Sequence, residues 1–293
     1  VERGLRTRFH DQQTRPEAGF HLETGIHSAR HPRMRPVCIP LLILLAAARV
    51  GAAELVRIEW PSGGVSREAL VHIPAKSAGA PLVFAFHGHG GSMAQAARSF
   101  PIHEKWPEAI VVYPQGLPTA GQLTDPQGER PGWQGRAGVA DDRDLKFFDV
   151  MLADLRRRYQ PDDRRIYATG HSNGGGFTYL LWAERGDVFA ALAPSSALLA
   201  RGFQKFKPKP LLHIASPQDE LVKFSWQQRM LDHVLKLNGC GPFKPDVLGA
   251  ATYPSKSGND VVVYLHTGGH KYPGEAAPEM IVKFFQAHAA QKL

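Results

Sequence analysis

Ser172 is framed by Gly170 and Gly174 in the run Ala168-Thr169-Gly170-His171-Ser172-Asn173-Gly174-Gly175-Gly176. The residues before it, Arg165 to Thr169, are β-branched and aromatic, and those after it, Phe177 to Trp182, carry a helical apolar face. This context predicts a sharp strand-to-helix turn with the serine at its apex, where glycines remove side-chain bulk on both sides. A hydroxyl raised above a sheet edge is a nucleophile for acyl transfer only once a base takes its proton. The natural base is a histidine, and the histidine in turn needs a carboxylate to orient it.

The elements that must position such groups follow from the periodicity after Glu54. Leu55 to Trp60 and Glu68 to Ile73 read as two strands joined by a turn at Ser62-Gly63-Gly64. Pro81 to Phe86 is a continuous apolar run, as expected of a strand buried on both faces. Ala109 to Tyr113, Arg165 to Thr169, Ala190 to Ala193, Leu211 to Ala215 and Val261 to Leu265 extend the series. Leu145, Phe148, Met151, Leu152, Leu155 and Tyr159 recur at helical spacing until Pro161, and Trp226 to Leu237 and Pro278 to Ala289 repeat that period. Strands alternating with helices imply a mostly parallel central sheet with helices on both faces, an α/β fold without internal repeat or second domain. The Gly-, Pro- and Gln-rich segment from Gln115 to Gly138 is a long loop over the carboxyl edge of the sheet, where ligands bind in open α/β folds.

The turn at Ser172 resembles the nucleophile elbow of α/β-hydrolases, in which the chain order is Ser, then Asp or Glu, then His. Asp219 follows the strand Leu211 to Ala215 by a short turn, and His270 follows Val261 to Leu265 within Thr267-Gly268-Gly269-His270. Glu220 competes with Asp219, with a helix-start or surface carboxylate as its bland role. Asp141, Asp142 and Asp144 precede Ser172 and read as caps of the next helix. Among the fourteen histidines, His213 and His266 fall in strands and read as packed, hydrogen-bonded core residues. His171 precedes the nucleophile, and alternation at the elbow turns its side chain away from the serine. Charge developing on the substrate oxygen calls for backbone donors. The amide of Asn173 is one, and the other belongs to the loop His87-Gly88-His89-Gly90-Gly91, at His89 or Gly90. His87 and His89 lack the nearby ligands of a metal site, so neither metal nor cofactor is expected. Trp133, in the long loop, is a candidate for stacking an aromatic acid or sugar, with loop anchoring as its other role.

Together these pieces resemble the secreted α/β-hydrolase esterases that include polyhydroxybutyrate-depolymerase-like enzymes and feruloyl or acetylxylan esterases. The resemblance rests on His87-Gly88-His89-Gly90-Gly91-Ser92, Tyr113-Pro114-Gln115-Gly116, Asp142 with the helix after it, Arg165-Ile166-Tyr167 leading to Ser172-Asn173-Gly174-Gly175, and Gly268-Gly269-His270-Lys271-Tyr272-Pro273-Gly274. It implies a serine ester hydrolase with Ser172, Asp219 and His270 as the triad and His89 at the oxyanion position. The implied substrates are feruloyl or acetyl esters of polysaccharides, hydroxyalkanoate polyesters, or small esters. The chain departs from the pattern at His89, where the family often has cysteine, at Ala215-Ser216-Pro217-Gln218-Asp219 in place of a His-Gly-led acid loop, and at His171 in place of leucine. An acyltransferase or a serine peptidase uses the same triad, and a binding module with a degenerate site is the non-enzymatic alternative.

Composition bounds the rest. The chain has 293 residues, 43% hydrophobic and 21% charged, in the range of a globular protein. Half of the formal +8 comes from the first 53 residues, which hold eight Arg and four acidic residues. The basic run Arg156-Arg157-Arg158 sits where cations complement a helix C-terminus, and no aromatic-interleaved basic stripe points to nucleic acid. Residues 1–33 are polar, lack periodicity and read as an upstream extension. Residues 34–53, from Met34, have the basic start, short apolar core and small-residue end of a secretory signal, and the apolar run from Val37 to Ala48, closed by Arg49, is too short to span a bilayer. The expected catalytic domain is then 54–293, secreted or periplasmic, with Cys240 as its one thiol and no disulfide. Oligomeric state is not encoded in any motif.

Overall fold

The computed structural model describes residues 54–121 and 123–290. The extension over 1–33 and the leader over 34–53 lie outside the described residues, all of which fall in one compact unit. Strands β1 (Leu55–Ser62) and β2 (Val65–His72) form the expected antiparallel hairpin. Its two-residue turn, Gly63-Gly64, has φ of 61° and 81°, and a turn that is left-handed at both positions matches the twist of the flanking strands.

The buried strands follow from their composition. β3 (Leu82–Phe86) and β4 (Ile110–Pro114) are buried at every residue. A short ribbon of β5 (Leu117–Pro118) and β6 (Pro131–Gly132) interrupts the long loop. β7 (Ile166–His171), β8 (Ala191–Ser195), β9 (Leu211–Ala215), β10 (Gly249–Tyr253) and β11 (Val261–Leu265) complete a nine-stranded sheet of order β1-β2-β4-β3-β7-β8-β9-β11-β10. The block from β4 to β11 is parallel, with the β1–β2 hairpin and β10 antiparallel at its edges. The chain thus has the mostly parallel, helix-flanked sheet of the α/β-hydrolase fold. β10 was not foreseen, because Gly249-Ala250-Ala251 carries little β propensity.

Successive residues of a strand face opposite sides of the sheet, so Leu82, Phe84 and Phe86 enter one core and Val83 and Ala85 the other. Helices α1 (Met93–Ser99), α2 (Ile102–Lys105) and α6 (Ala277–Ala287) cover the second face. Helices α3 (Arg143–Tyr159), α4 (Asn173–Arg185) and α5 (Phe224–Asn238) cover the first. Arg156, Arg157 and Arg158 lie in the last turn of α3, where Asp154 and Asp163 pair with them. Among the described residues, no helix is long and apolar enough to cross a membrane.

Asp141, Asp142 and Asp144, around the start of α3, do not cap it with their side chains, which corrects the sequence expectation. Asp141 is exposed and pairs with Lys146. Asp142 accepts from the Gly138 amide and from Gln134 Nε2, both at 2.8 Å. Asp144 is buried: Oδ1 accepts from Arg67 Nη2 of β2 at 3.0 Å and Oδ2 from the Gln134 amide at 2.8 Å. The Arg67 guanidinium also lies 4.2 Å from the Phe147 ring centroid and donates to the Gln115 carbonyl. One ion pair therefore ties β2, both ends of the long loop and the start of α3 together. Removing one partner of a buried pair strands the other's charge, at about 3–5 kcal/mol. Asp144→Ala is expected to destabilise the fold by about that amount in urea unfolding, whereas Asp141→Ala leaves the midpoint nearly unchanged.

Candidate active site

β7 ends at His171 and α4 begins at Asn173, so Ser172 is the whole of the turn. Its φ of 56° is in the left-handed region, a conformation costing a non-glycine residue about 1–3 kcal/mol. The neighbouring glycines explain why the chain accepts it. A Cβ on Gly174 would lie 2.3 Å from the Phe86 carbonyl oxygen, and one on Gly170 would lie 2.5 Å from the Gly174 backbone. Helix α4 therefore meets β3 and β7 backbone to backbone. The Ser172 amide donates to Ser195 O at 2.9 Å, which pins the turn to β8.

Three groups expected from sequence meet here. His270 Nε2 lies 2.8 Å from Ser172 Oγ. His270 Nδ1 lies 3.0 and 2.9 Å from the two carboxylate oxygens of Asp219. Asp219 is 3% exposed; its Oδ1 accepts from the Leu221 and Val222 amides, and its Oδ2 from Gln227 Nε2 at 3.1 Å. Burial pushes its pKa up, but the hydrogen bond and charge of His270, with the Val222 and Gln227 donors, outweigh burial and hold it below the usual carboxylate range. Glu220 is exposed on the same loop. The acid and histidine loops are joined where the Gly269 amide donates to Ser216 Oγ at 3.1 Å. Gln227 and Ser216 had no signal in the sequence, because their partners come from other segments.

The loop after β3 lies against the serine: a Cβ on Gly88 would sit 3.6 Å from Ser172 Cβ. The His89 ring turns away from the serine into the long loop, with Nε2 donating to Thr119 O at 2.8 Å. A Cβ on Gly132 would come within 2.7 Å of this ring and one on Gly121 within 2.9 Å. The Asn173 carboxamide is also occupied, since it accepts from the Trp133 amide at 2.7 Å and donates to the Trp133 carbonyl at 2.9 Å. At both positions the side chain is engaged with the long loop. Trp133 itself is corrected from a stacking surface to an anchor. It is 1% exposed, its ring stacks on Phe177, and its indole N–H donates to His87 O at 2.9 Å.

His171 also departs from expectation. Its ring centroid lies 5.0 Å from that of His270 and 5.6 Å from that of Tyr272, and Nδ1 is 3.2 Å from Ser195 Oγ. The ring keeps the alternation of β7, on the face of Tyr167, and it is His270 and Tyr272 that come to lie against it there. His266 lies one residue past β11 rather than inside it, with Nδ1 accepting from the Gly268 amide. Among the described residues, no group of three or more His, Cys, Asp or Glu side chains is placed to hold a metal ion.

No family model matches the chain. Over 225 residues it is 27% identical to a probable feruloyl esterase C of Aspergillus clavatus, covering 70% of this chain and 77% of that protein. Over 209 residues it is 24% identical to a bifunctional acetylxylan esterase/xylanase of Neocallimastix patriciarum, covering 69% of this chain but only 28% of that protein's length. Among solved structures, an acetyl xylan esterase from Aspergillus awamori aligns with a TM-score of 0.58 at 12% identity, covering 80% of this chain and 99% of that one. The structural likeness is one of fold. The sequence matches relate the chain to feruloyl and acetylxylan esterases at low identity and over part of its length.

A half-buried histidine, His171, and a buried one, His213, give the site's surroundings a pH dependence. Burial, with the neighbouring His270 charge, pushes His171 down to about 3, and burial pushes His213 down to about 4. The unfolded chain takes up protons at these rings below about pH 6.5, where the folded chain does not. Their contribution to stability is therefore complete above about 6.5 and is lost as pH falls toward the folded values. The urea midpoint should fall between pH 6.5 and 4.5, with a shallower fall in His171→Leu. A midpoint constant over that window, or an unchanged slope in the variant, contradicts the assignment.

Proposed function

We propose that this protein is a serine esterase that hydrolyses carboxylic esters through an acyl-enzyme, with Ser172 as nucleophile, His270 as base and Asp219 as orienting carboxylate. The observation that carries this reading is the unbroken hydrogen-bonded line from Ser172 Oγ through both nitrogens of His270 to the buried carboxylate of Asp219. As Ser172 Oγ bonds to the ester carbonyl carbon, its proton passes to His270 Nε2. Asp219 holds the ring in the tautomer with hydrogen on Nδ1 and stabilises the imidazolium that forms. Negative charge collects on the former carbonyl oxygen, and the amides of Asn173 and His89 are the donors we assign to it. His270 then gives its proton to the departing alcohol. In the second half, water loses a proton to the same ring, attacks the acyl carbon and releases the acid and Ser172.

Feruloyl or acetyl esters carried on polysaccharide are the preferred substrates, supported by the relatives named above. The reaction needs no metal or cofactor. Export of the chain by the leader over residues 34–53 agrees with a polymeric substrate outside the cell.

Hydrolysis of p-nitrophenyl acetate tests the roles. Ser172→Ala should remove turnover, and Asp219→Asn should lower kcat about 10⁴-fold while the fold is kept. Full activity in Ser172→Ala excludes the mechanism.

A further inference from the structure

Beneath Asp219 runs a line of buried polar side chains that the reaction above does not use. Tyr179 of α4, His213 of β9 and Gln227 of α5 are each 0% exposed. Tyr179 Oη lies 2.7 Å from His213 Nδ1, and His213 Nε2 lies 3.2 Å from Gln227 Oε1. Gln227 Nε2 donates to the Val222 carbonyl at 2.6 Å and to Asp219 Oδ2 at 3.1 Å.

The direction of every bond in this line is determined. The Val222 carbonyl only accepts, so the amide of Gln227 must present its nitrogen to it, which leaves Oε1 for His213. An oxygen there requires the hydrogen of His213 on Nε2, and its bare Nδ1 then takes the hydroxyl proton of Tyr179. Burial supports this arrangement by keeping His213 neutral, with its pKa down at about 4, and by raising that of Tyr179. Each donor points toward the carboxylate, and aligned bonds in a low-dielectric interior polarise one another.

We propose that Gln227 is a positioning residue for Asp219, and that His213 and Tyr179 act through it by holding the oxygen end of its amide while the Val222 carbonyl holds the nitrogen end. This inference rests on the triad assigned above. The Asp219 carboxylate meets His270 with both oxygens, so its rotation must be set from behind. The Leu221 and Val222 amides hold Oδ1, and Gln227 supplies the matching donor at Oδ2. Without a donor from His213, the Gln227 oxygen is left buried and unpaired, and only the Val222 carbonyl and the carboxylate itself still hold the amide.

Esterase kinetics and proton NMR on the full chain test this with Gln227→Met, His213→Phe and Tyr179→Phe. Gln227→Met keeps the length and removes the donor without adding a carboxyl that could share a proton with Asp219. It should lower kcat about 10- to 100-fold at unchanged KM, the loss expected for one hydrogen bond to a charged group. It should also shift or broaden the low-field Nδ1 proton of His270. His213→Phe should show a smaller loss of the same kind and Tyr179→Phe the smallest, without following the order of their urea midpoints. The proposal is overturned if Gln227→Met keeps kcat within about twofold and the His270 resonance in place, or if kcat falls only in proportion to lost stability. Should Gln227→Met not fold, His213→Phe and Tyr179→Phe carry the same comparison. The resonance is read without turnover, so a wild-type chain that hydrolyses no ester counts against the esterase reading while the relay is still tested.

Discussion

The structure depends on a contact between two stretches of backbone. Helix α4 is driven so close onto β3 and β7 that a single added carbon at Gly174 would lie 2.3 Å from the Phe86 carbonyl oxygen. The chain must therefore leave β7 and enter α4 within one residue, and Ser172 takes up the reversal with a φ of 56°. The strain is modest beside the cores on both faces of the sheet, and the bond from its amide to Ser195 O offsets part of it. With this contact in place, the hydroxyl stands clear of the sheet edge and the Asn173 amide starts a helix beside it.

Strand order explains how the other two groups reach the serine. β7, β8, β9 and β11 are consecutive and parallel in the sheet, so the loops after them open on one edge. Neighbouring strands are about 4.8 Å apart, which leaves the acid loop two strands from Ser172 and the histidine loop three. The loops after β9 and β11 reach back over that gap to set the His270 ring between Ser172 and Asp219, and the Gly269–Ser216 bond keeps the two loops joined. The other flank is held differently. The Asn173 carboxamide grips the Trp133 backbone, Trp133 grips His87, and the Arg67–Asp144 pair fixes the loop's far ends. Both flanks thus carry buried polar bonds whose function is orientation.

Much of this was legible in the sequence where the information is local. The elbow announces itself through Gly170, Ser172 and Gly174. Asp219 and His270 each sit just past a short apolar strand, so the strand ends and chain order were enough to select them. Sequence reasoning failed where a side chain's role depends on a distant partner. Asp144 looked like a helix cap because its partner Arg67 is 77 residues away. Trp133 could be a ligand platform or a loop anchor, because nothing local says that Phe177 and Phe86 enclose it. His171 keeps the alternation of its strand, and nothing local says that the His270 and Tyr272 rings come to lie against it. Gln227 gave no sign at all, since a glutamine in an amphipathic helix is ordinarily a solvated one.

The central claim is that His270 activates one serine, Ser172, among all those in the chain. Intact-protein and peptide mass spectrometry after brief exposure to a fluorophosphonate tests it directly. The account predicts a single adduct, located on Ser172, that forms far more slowly in His270→Ala. An adduct on another residue, or labelling of Ser172 at the same rate without His270, contradicts it.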